Sequence, residues 1–75
     1  MQTIDFELEG SYVELNMLLK LVGLCDSGGA GKRLVAEGDV KVDGVTEWRK
    51  TCKIVAGQTV TLGDVAIRVL ADPEG

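Results

Sequence analysis

Residues 14–44 read ELNMLLKLVGLCDSGGAGKRLVAEGDVKVDG, and this stretch determines the fold that the rest of the chain completes. Its first part places four apolar residues at the spacing of one buried helix face: Leu15, Leu18, Leu19 and Val22. Gly23 follows at the position where helices commonly end in a left-handed residue. The stretch therefore begins with a short amphipathic helix.

The residues just upstream predict how this helix starts and what precedes it. Ser11 and Glu14 have the spacing of a capping box, in which both side chains accept backbone amide hydrogens of the first turn. Before Gly10, three apolar residues alternate with acidic ones, as in a half-buried strand: Ile4, Phe6 and Leu8. A strand followed by a capped helix is therefore expected.

A second helix is expected between a cap at Asp26 or Ser27 and an end at Glu37, with Gly38 as its terminator. Its first turn contains three glycines, each costing roughly 1 kcal/mol relative to alanine: Gly28, Gly29 and Gly31. Such a turn is either mobile or allows another backbone to approach closely.

Two cations of this helix point away from its apolar side. Ala30, Leu34 and Val35 would face the core. At about 100° per residue, Lys32 and Arg33 lie about 140° and about 120° from the centre of that apolar arc. Both side chains must therefore face solvent or a partner.

After the second helix, the pattern changes to the two-residue period of β-strands. Val40–Val42 and Val45–Thr46 flank the dipeptide Asp43-Gly44, which favours the two-residue turn of a β-hairpin. A closing hairpin is expected over Thr59–Leu62 and residues 65–70.

Together these elements predict an α+β fold, in which two short helices pack on a small, mostly antiparallel β-sheet. We expect one domain over residues 1–71 and a frayed tail over residues 72–75. With 75 residues, of which 45% are hydrophobic, the chain has a modest core.

The composition excludes most kinds of enzyme site. The chain has no histidine, so a Ser-His-Asp triad, a Cys-His pair and a histidine-ligated metal cannot form. Cys25 and Cys52 are too few for a tetrahedral zinc site, and reduced core thiols are favoured over a disulfide. Arg33 stands where a phosphate-binding loop has serine or threonine. We expect no catalysis, no metal and no cofactor.

Hydropathy indicates where such a protein acts. No run approaches the ~18 apolar residues that a membrane span needs. Residues 1–5 lack the basic and apolar regions of an export signal. A cytoplasmic location without membrane contact is therefore expected.

Charge is distributed unevenly along a chain whose net charge is −4. Residues 32–53 carry six basic and four acidic side chains, a net charge of +2, whereas the remainder carries two basic and eight acidic ones, a net charge of −6. A molecule with one basic sector and an acidic remainder docks a polyanion in one orientation.

The order of these elements resembles a known family. The chain begins this order with a leucine-rich helix that ends in glycine (residues 18–23), followed by Ser27 and the basic Lys32. An aliphatic pair, a glycine and a V-x-V-D-G hairpin come next: Leu34-Val35, Glu37-Gly38 and residues 40–44. This order resembles the S4-like RNA-binding domain family, whose two short helices and β-hairpin form the alpha-L motif. The resemblance covers residues 14–44 well and residues 49–58 more loosely. The absence of appended catalytic sequence suggests the stand-alone bacterial branch.

The resemblance also implies roles for individual residues. Ser27 corresponds to the family's helix-capping serine and Lys32 to its basic position in the second helix. Three residues correspond to the basic positions after the hairpin: Arg49, Lys50 and Lys53. Gly28 stands where the family usually has arginine, which removes a phosphate contact or moves it to other cations.

We therefore expect RNA to contact Ser27, Lys32, Arg33, Lys41, Arg49, Lys50 and Lys53. A helix N-terminus adds amide donors and a partial positive charge to such a surface. Structured RNA recognised by its shape, such as ribosomal or transfer RNA, is the expected partner of a monomeric protein. The aromatic near this surface, Trp48, cannot form a multi-base platform; it either packs beneath the sheet, which we favour, or stacks on one exposed base.

A different class of function uses the acidic part of the chain. Glu7, Glu9 and Glu14 flank the first helix and would contact a basic partner in a protein-interaction adaptor. The two functions are compatible in a ribosome-associated protein.

Overall fold

The computed structural model describes residues 2–72, which contain two helices and seven strands. In chain order the elements are β1 (Gln2–Leu8), β2 (Val13–Glu14), α1 (Leu15–Leu21), α2 (Gly28–Ala36), β3 (Val40–Val42), β4 (Val45–Thr46), β5 (Lys53–Ile54), β6 (Thr59–Leu62) and β7 (Val65–Ala71).

Five strands form one sheet in the order β1-β7-β6-β3-β4, while β2 and β5 form a separate antiparallel pair. In the larger sheet β1 pairs with β7 in parallel, and its other pairings are antiparallel. Because side chains alternate along a strand, the sheet has two faces, each marked by a row of paired residues. One row contains Val42, Val60 and Ile67, and the other contains Lys41, Thr61 and Ala66.

The core lies between the helices and the face that carries Val60 and Ile67. These two residues are fully buried in one cluster with four helix residues: Leu15, Leu18 and Leu19 of α1 and Val35 of α2. The helix stripe predicted from the leucine spacing is therefore the buried one. The predicted α+β fold, two short helices on a mostly antiparallel sheet, is confirmed.

The predicted capping box at the start of α1 is wrong. The N-cap is Glu14, whose side chain makes no capping hydrogen bond, and Ser11 lies before β2. The first amides of the helix instead donate to carbonyls of a distant segment, Leu15 N to Cys52 O at 2.8 Å and Asn16 N to Lys50 O at 3.2 Å. Pairing of β2 with β5 brings that segment into place, which no local pattern indicates.

The predicted start of α2 is confirmed, and Ser27 is the cap. The Ser27 hydroxyl oxygen accepts a hydrogen bond from Ala30 N at 3.1 Å. Of the two explanations for the glycine-rich turn, close backbone approach applies at Gly31. A Cβ there would lie 2.4 Å from the carbonyl oxygen of Asn16. The absence of a side chain at Gly31 thus allows α1 and α2 to pack in direct contact.

The hairpin between β3 and β4 turns where the sequence predicts. Asp43 and Gly44 have φ angles of 51° and 84°, both in the left-handed region that a two-residue hairpin turn requires. Asp43 also joins this turn to β6, because its Oδ1 accepts a hydrogen bond from Thr59 N at 2.9 Å.

Three further predictions concern features outside these elements. Cys25 and Cys52 are free thiols, half-buried against the core, as favoured from the sequence. The domain boundary at residue 71 stays a prediction, and residues 73–75 of the predicted tail lie outside the described range. Within residues 2–72, neither helix is long and apolar enough to span a membrane.

Candidate nucleic-acid interface

The basic segment after the hairpin is held against the start of α1. The carbonyls of Lys50 and Cys52 accept the first two amides of that helix, and Lys53 pairs with Glu14 in the β2–β5 ladder. These hydrogen bonds use the backbone of residues 50–53, and the side chains of Arg49 and Lys50 are exposed. The cations are thus displayed from a backbone fixed at several points.

The N-terminal turn of α2 meets the same place on α1. Gly31 packs on the backbone of Asn16, whose side-chain Nδ2 donates to Gly28 O at 3.3 Å. Asn16 is 4% exposed, and its own amide donates to Lys50 O. Asn16 therefore joins the α2 N-terminus to the basic segment, a role that its position beside the leucine stripe does not reveal.

The α2 cations lie on the outer side of the helix, as predicted. Lys32 and Arg33 are both exposed. Arg33 borders a shallow surface depression, together with Ala30 and Glu37. Ser27, at the N-terminal end of the same helix, uses its hydroxyl oxygen for capping and keeps its hydroxyl hydrogen for another acceptor.

Arg49 is held in a fixed orientation by a carboxylate that the sequence analysis missed. Its Nε and Nη2 donate to the two carboxylate oxygens of Glu47, both at 3.0 Å, and its backbone amide donates to Glu47 Oε2 at 3.0 Å. The Arg49 side chain remains 77% exposed, whereas that of Glu47 is 16% exposed. The guanidinium therefore has a set direction and keeps further N–H donors for a partner.

These contacts change the ionisation of the pair. Hydrogen bonds from the Arg49 side chain and backbone lower the pKa of Glu47 from 4.5 to about 2. The same carboxylate raises the pKa of Arg49, while burial and then Glu47 raise the pKa of the Cys52 thiol. Glu47 is thus ionised, and Cys52 is protonated, at neutral pH.

Replacing Arg49 by alanine is expected to raise the pKa of Glu47 from about 2 toward 4.5. Because the pKa of Glu47 is lowered in the folded state, the pair stabilises the fold above pH 4.5 and loses this effect as the pH falls through about 2. Carboxyl-carbon NMR titration of both proteins measures the shift. Equal midpoints in the two proteins would contradict the pairing.

The last residue of the basic segment, Lys53, has an aromatic partner. Its Nζ lies 5.0 Å from the centroid of the Tyr12 ring, within range of a cation–π interaction. The Tyr12 ring therefore positions Lys53 at the end of the segment. The sequence carried no signal for this pair, because β2 and β5 are far apart along the chain.

Lys41 is separated from the other predicted cations. It pairs with Thr46 and Thr61 on the sheet face that points away from the helices. Arg68 lies on that same face, 3.6 Å from Asp5 as measured from Nε to Oδ1. Contact between Lys41 and RNA stays a prediction, and it requires RNA to reach around the edge strand β4.

The interpretation of Trp48 as a residue packed beneath the sheet is wrong. The residue is 63% exposed, and the tip of its indole lies against Gly38 at the end of α2. A Cβ at Gly38 would lie 2.7 Å from the indole Cη2. The glycine that terminates the helix therefore also contacts the indole. Trp48 packs on the backbone of Gly38 and not within the core.

Comparison with known proteins agrees with this architecture. The family profile of the S4 domain matches residues 6–70. YbcJ of Escherichia coli (strain K12) is 55% identical over 60 residues, which cover 80% of this chain and 86% of YbcJ, and YbcJ of Shigella flexneri matches equally.

A solved structure matches as well. The solution structure of YbcJ from E. coli, described as revealing an alpha-L motif involved in RNA binding, superposes with a TM-score of 0.67 at 49% identity. The match covers 95% of this chain and 89% of that one. With a profile that spans most of the chain and a relative of this identity, the chain belongs to the S4 domain family.

Proposed function

We propose that this protein binds structured RNA without catalysis, through a basic face formed by α2 and the segment after the hairpin. The basic face comprises Ser27, Lys32, Arg33, Arg49, Lys50 and Lys53. One observation carries the proposal: the backbone of Asn16 contacts both Gly31, beside Lys32, and Lys50. Cations from two separate parts of the chain are thereby supported by one buried residue.

The chemistry of the basic face suits phosphate groups. Its cations are exposed, and Arg49 is held in place by Glu47. At the α2 N-terminus, backbone amides and a partial positive charge add to the attraction for anions. Fixed cations of this kind read the shape of an RNA backbone, since phosphate contacts carry no base information.

The relatives support the same function. The chain belongs to the S4 domain family, and the matched solution structure of YbcJ is described by an alpha-L motif involved in RNA binding. Binding of ribosomal or transfer RNA, contact with Lys41, action as a monomer and a cytoplasmic location stay predictions from the sequence.

Titration of a labelled, structured RNA at several salt concentrations tests the proposal. Three to five phosphate contacts correspond to a slope of about −2 to −4.5 in a plot of log K against log salt. Absence of binding at low salt, or an affinity that does not depend on salt, would exclude the proposed mechanism.

Adding a cation at the α2 N-terminus is expected to strengthen RNA binding. A Cβ at Gly29 would meet only the Ser27 Oγ, at 3.9 Å, whereas one at Gly28 would lie 3.0 Å from the Met17 sulfur. We expect Gly29→Arg to raise the affinity for RNA by about threefold to tenfold at ~0.1 M salt, through one added phosphate contact. Gly29→Gln, a neutral side chain that reaches in the same direction, is the control. Equal affinities of the two variants would contradict the placement of the face.

A second candidate function rests on a groove at the end of β1. The groove is lined by hydrophobic residues, which include Phe6, Tyr12 and Leu21, and by the acidic residues Glu7 and Glu9. β1 is an edge strand of the larger sheet. This combination suits an apolar and basic peptide of a protein partner, as in an adaptor.

The test of the adaptor function compares the protein with a Glu7→Lys, Glu9→Lys variant. A partner that is captured after ribonuclease treatment by the unchanged protein alone would support the groove. Equal capture by the variant would exclude it. Glu14, the third acid of the predicted surface, is not among the residues that line this groove and pairs in register with Lys53.

A further inference from the structure

Trp48 is an exposed aromatic side chain that the phosphate contacts of the basic face do not use. At 63% exposure it stands among the most exposed large hydrophobic residues of the described chain. Most of its surface is therefore open to a partner, and packing within the monomer covers only a part of it.

The indole is exposed but positioned. Its tip lies against Gly38, and any side chain at that residue would displace it, since a Cβ would come 2.7 Å from Cη2. Gly38 has a φ angle of 81°, so its backbone conformation also favours glycine. The backbone that carries the indole is also held, because Glu47 N, in the residue before Trp48, donates to Val40 O at 3.0 Å.

Two cations follow Trp48 directly in the chain. Arg49 follows directly in the chain, with a guanidinium oriented by Glu47, and Lys50 comes next. Trp48 lies at the C-terminal end of α2, about 14 Å along the helix from the Ser27 cap, as nine residues at 1.5 Å each predict. The indole thus extends the basic face at one end.

We propose that Trp48 stacks on a single unpaired nucleobase of the bound RNA while Arg49 and Lys50 contact the adjoining phosphates. Indole faces stack on any base, and the gain is sequence-tolerant. The ligand class is therefore RNA with a bulged or looped-out nucleotide beside a helical stem. This inference rests on the proposed RNA-binding function and specifies which RNA feature the site selects.

A contact between copies of the protein is the alternative use of an exposed indole. The residues that flank Gly38 and Trp48 in the chain are Glu37, Asp39, Glu47 and Arg49, all charged. Charged side chains of both signs at this place do not form the continuous apolar patch that a stable dimer needs.

The experiment compares two RNA duplexes that differ by one bulged adenosine. Trp48 is the single tryptophan of the chain, so intrinsic fluorescence reports on it alone. We expect the bulged duplex to quench this fluorescence and to bind about tenfold more tightly than the fully paired one, as stacking of one base provides. Trp48→Leu should reduce that preference to about onefold, and Trp48→Phe should keep most of it.

Each other outcome overturns a different statement. If neither duplex binds at low salt, the proposed RNA-binding function fails, and the stacking role fails with it. If both bind and Trp48→Leu leaves the ratio unchanged, only the stacking role fails. Sedimentation that shows a dimer of the wild type and a monomer of Trp48→Leu would assign the indole to a contact between copies. Circular dichroism of the variants verifies that each is folded.

Discussion

Replacement of Gly31 by alanine is expected to destabilise the fold by about 3 kcal/mol. The new Cβ would lie 2.4 Å from the Asn16 carbonyl oxygen and 3.0 Å from its carbonyl carbon and Cα. These are backbone atoms in the first turn of α1, so no side-chain rotation relieves the overlap and the helices must separate. The cost far exceeds the roughly 1 kcal/mol that alanine gains over glycine in a helix.

A loss of this size is a large part of the total for so small a domain. A chain of 75 residues has a free energy of unfolding of about 4–11 kcal/mol. We expect the melting temperature to fall by about 12–24 °C, and urea unfolding measures the same change at constant temperature. RNA affinity should fall as well, because separation of α2 from Asn16 disturbs the support of the basic face.

Gly29→Ala is the matched control in the same turn of α2. Its Cβ would meet only the Ser27 Oγ, at 3.9 Å. We expect unchanged stability or a gain of up to about 1 kcal/mol. Similar stabilities of the Gly31 and Gly29 variants would show that α1 and α2 do not pack in contact at Asn16.

Charge reversal at Arg49 is expected to produce the largest loss of RNA affinity. Arg49→Glu removes the guanidinium that pairs with the Glu47 carboxylate, so the local charge of this pair changes from 0 to −2. At ~0.1 M salt we expect binding to weaken by about 10-fold to 100-fold across RNA sequences, since phosphate contacts are not sequence-specific. The slope of log K against log salt should become shallower by about 0.7–0.9, the contribution of one phosphate contact.

Arg68→Glu separates this local effect from that of net charge. Both substitutions change the net charge from −4 to −6, and both remove an exposed arginine that faces a carboxylate. Arg68 lies on the sheet face opposite the helices. Salt at ~0.1 M screens charges over a Debye length of about 10 Å, which weakens the effect of Arg68 on the basic face. We expect less than about a threefold change in affinity. Equal losses in both variants would mean that the binding surface is not the basic face.

Much of the fold follows from local patterns that are strong in this sequence. The leucine spacing of α1, the Ser27 cap of α2 and the Asp43-Gly44 turn are each decided by residues within a few positions of one another. The capping box failed for the opposite reason. The first amides of α1 bond to carbonyls of residues 50 and 52, which only the folded chain brings near.

The sequence predicts which cations of the candidate site are exposed, but it does not predict how they are arranged in space. Lys32 and Arg33 are exposed on α2, as helical periodicity predicts. Strand alternation places Lys41 on the side opposite Val40, but only the folded chain shows that the helices cover the Val40 face and leave Lys41 on the other face of the sheet.

The amino-acid order by itself determined which segments become helices and strands, which family the chain resembles and which residues are cations, because these depend on periodicity, caps and turns within short stretches. Tertiary structure alone decided that Asn16 joins Gly31 to Lys50, that Glu47 orients Arg49 and that Trp48 lies open against Gly38. Such contacts depend on the packing of distant backbones, where a shift of about 1 Å separates contact from overlap.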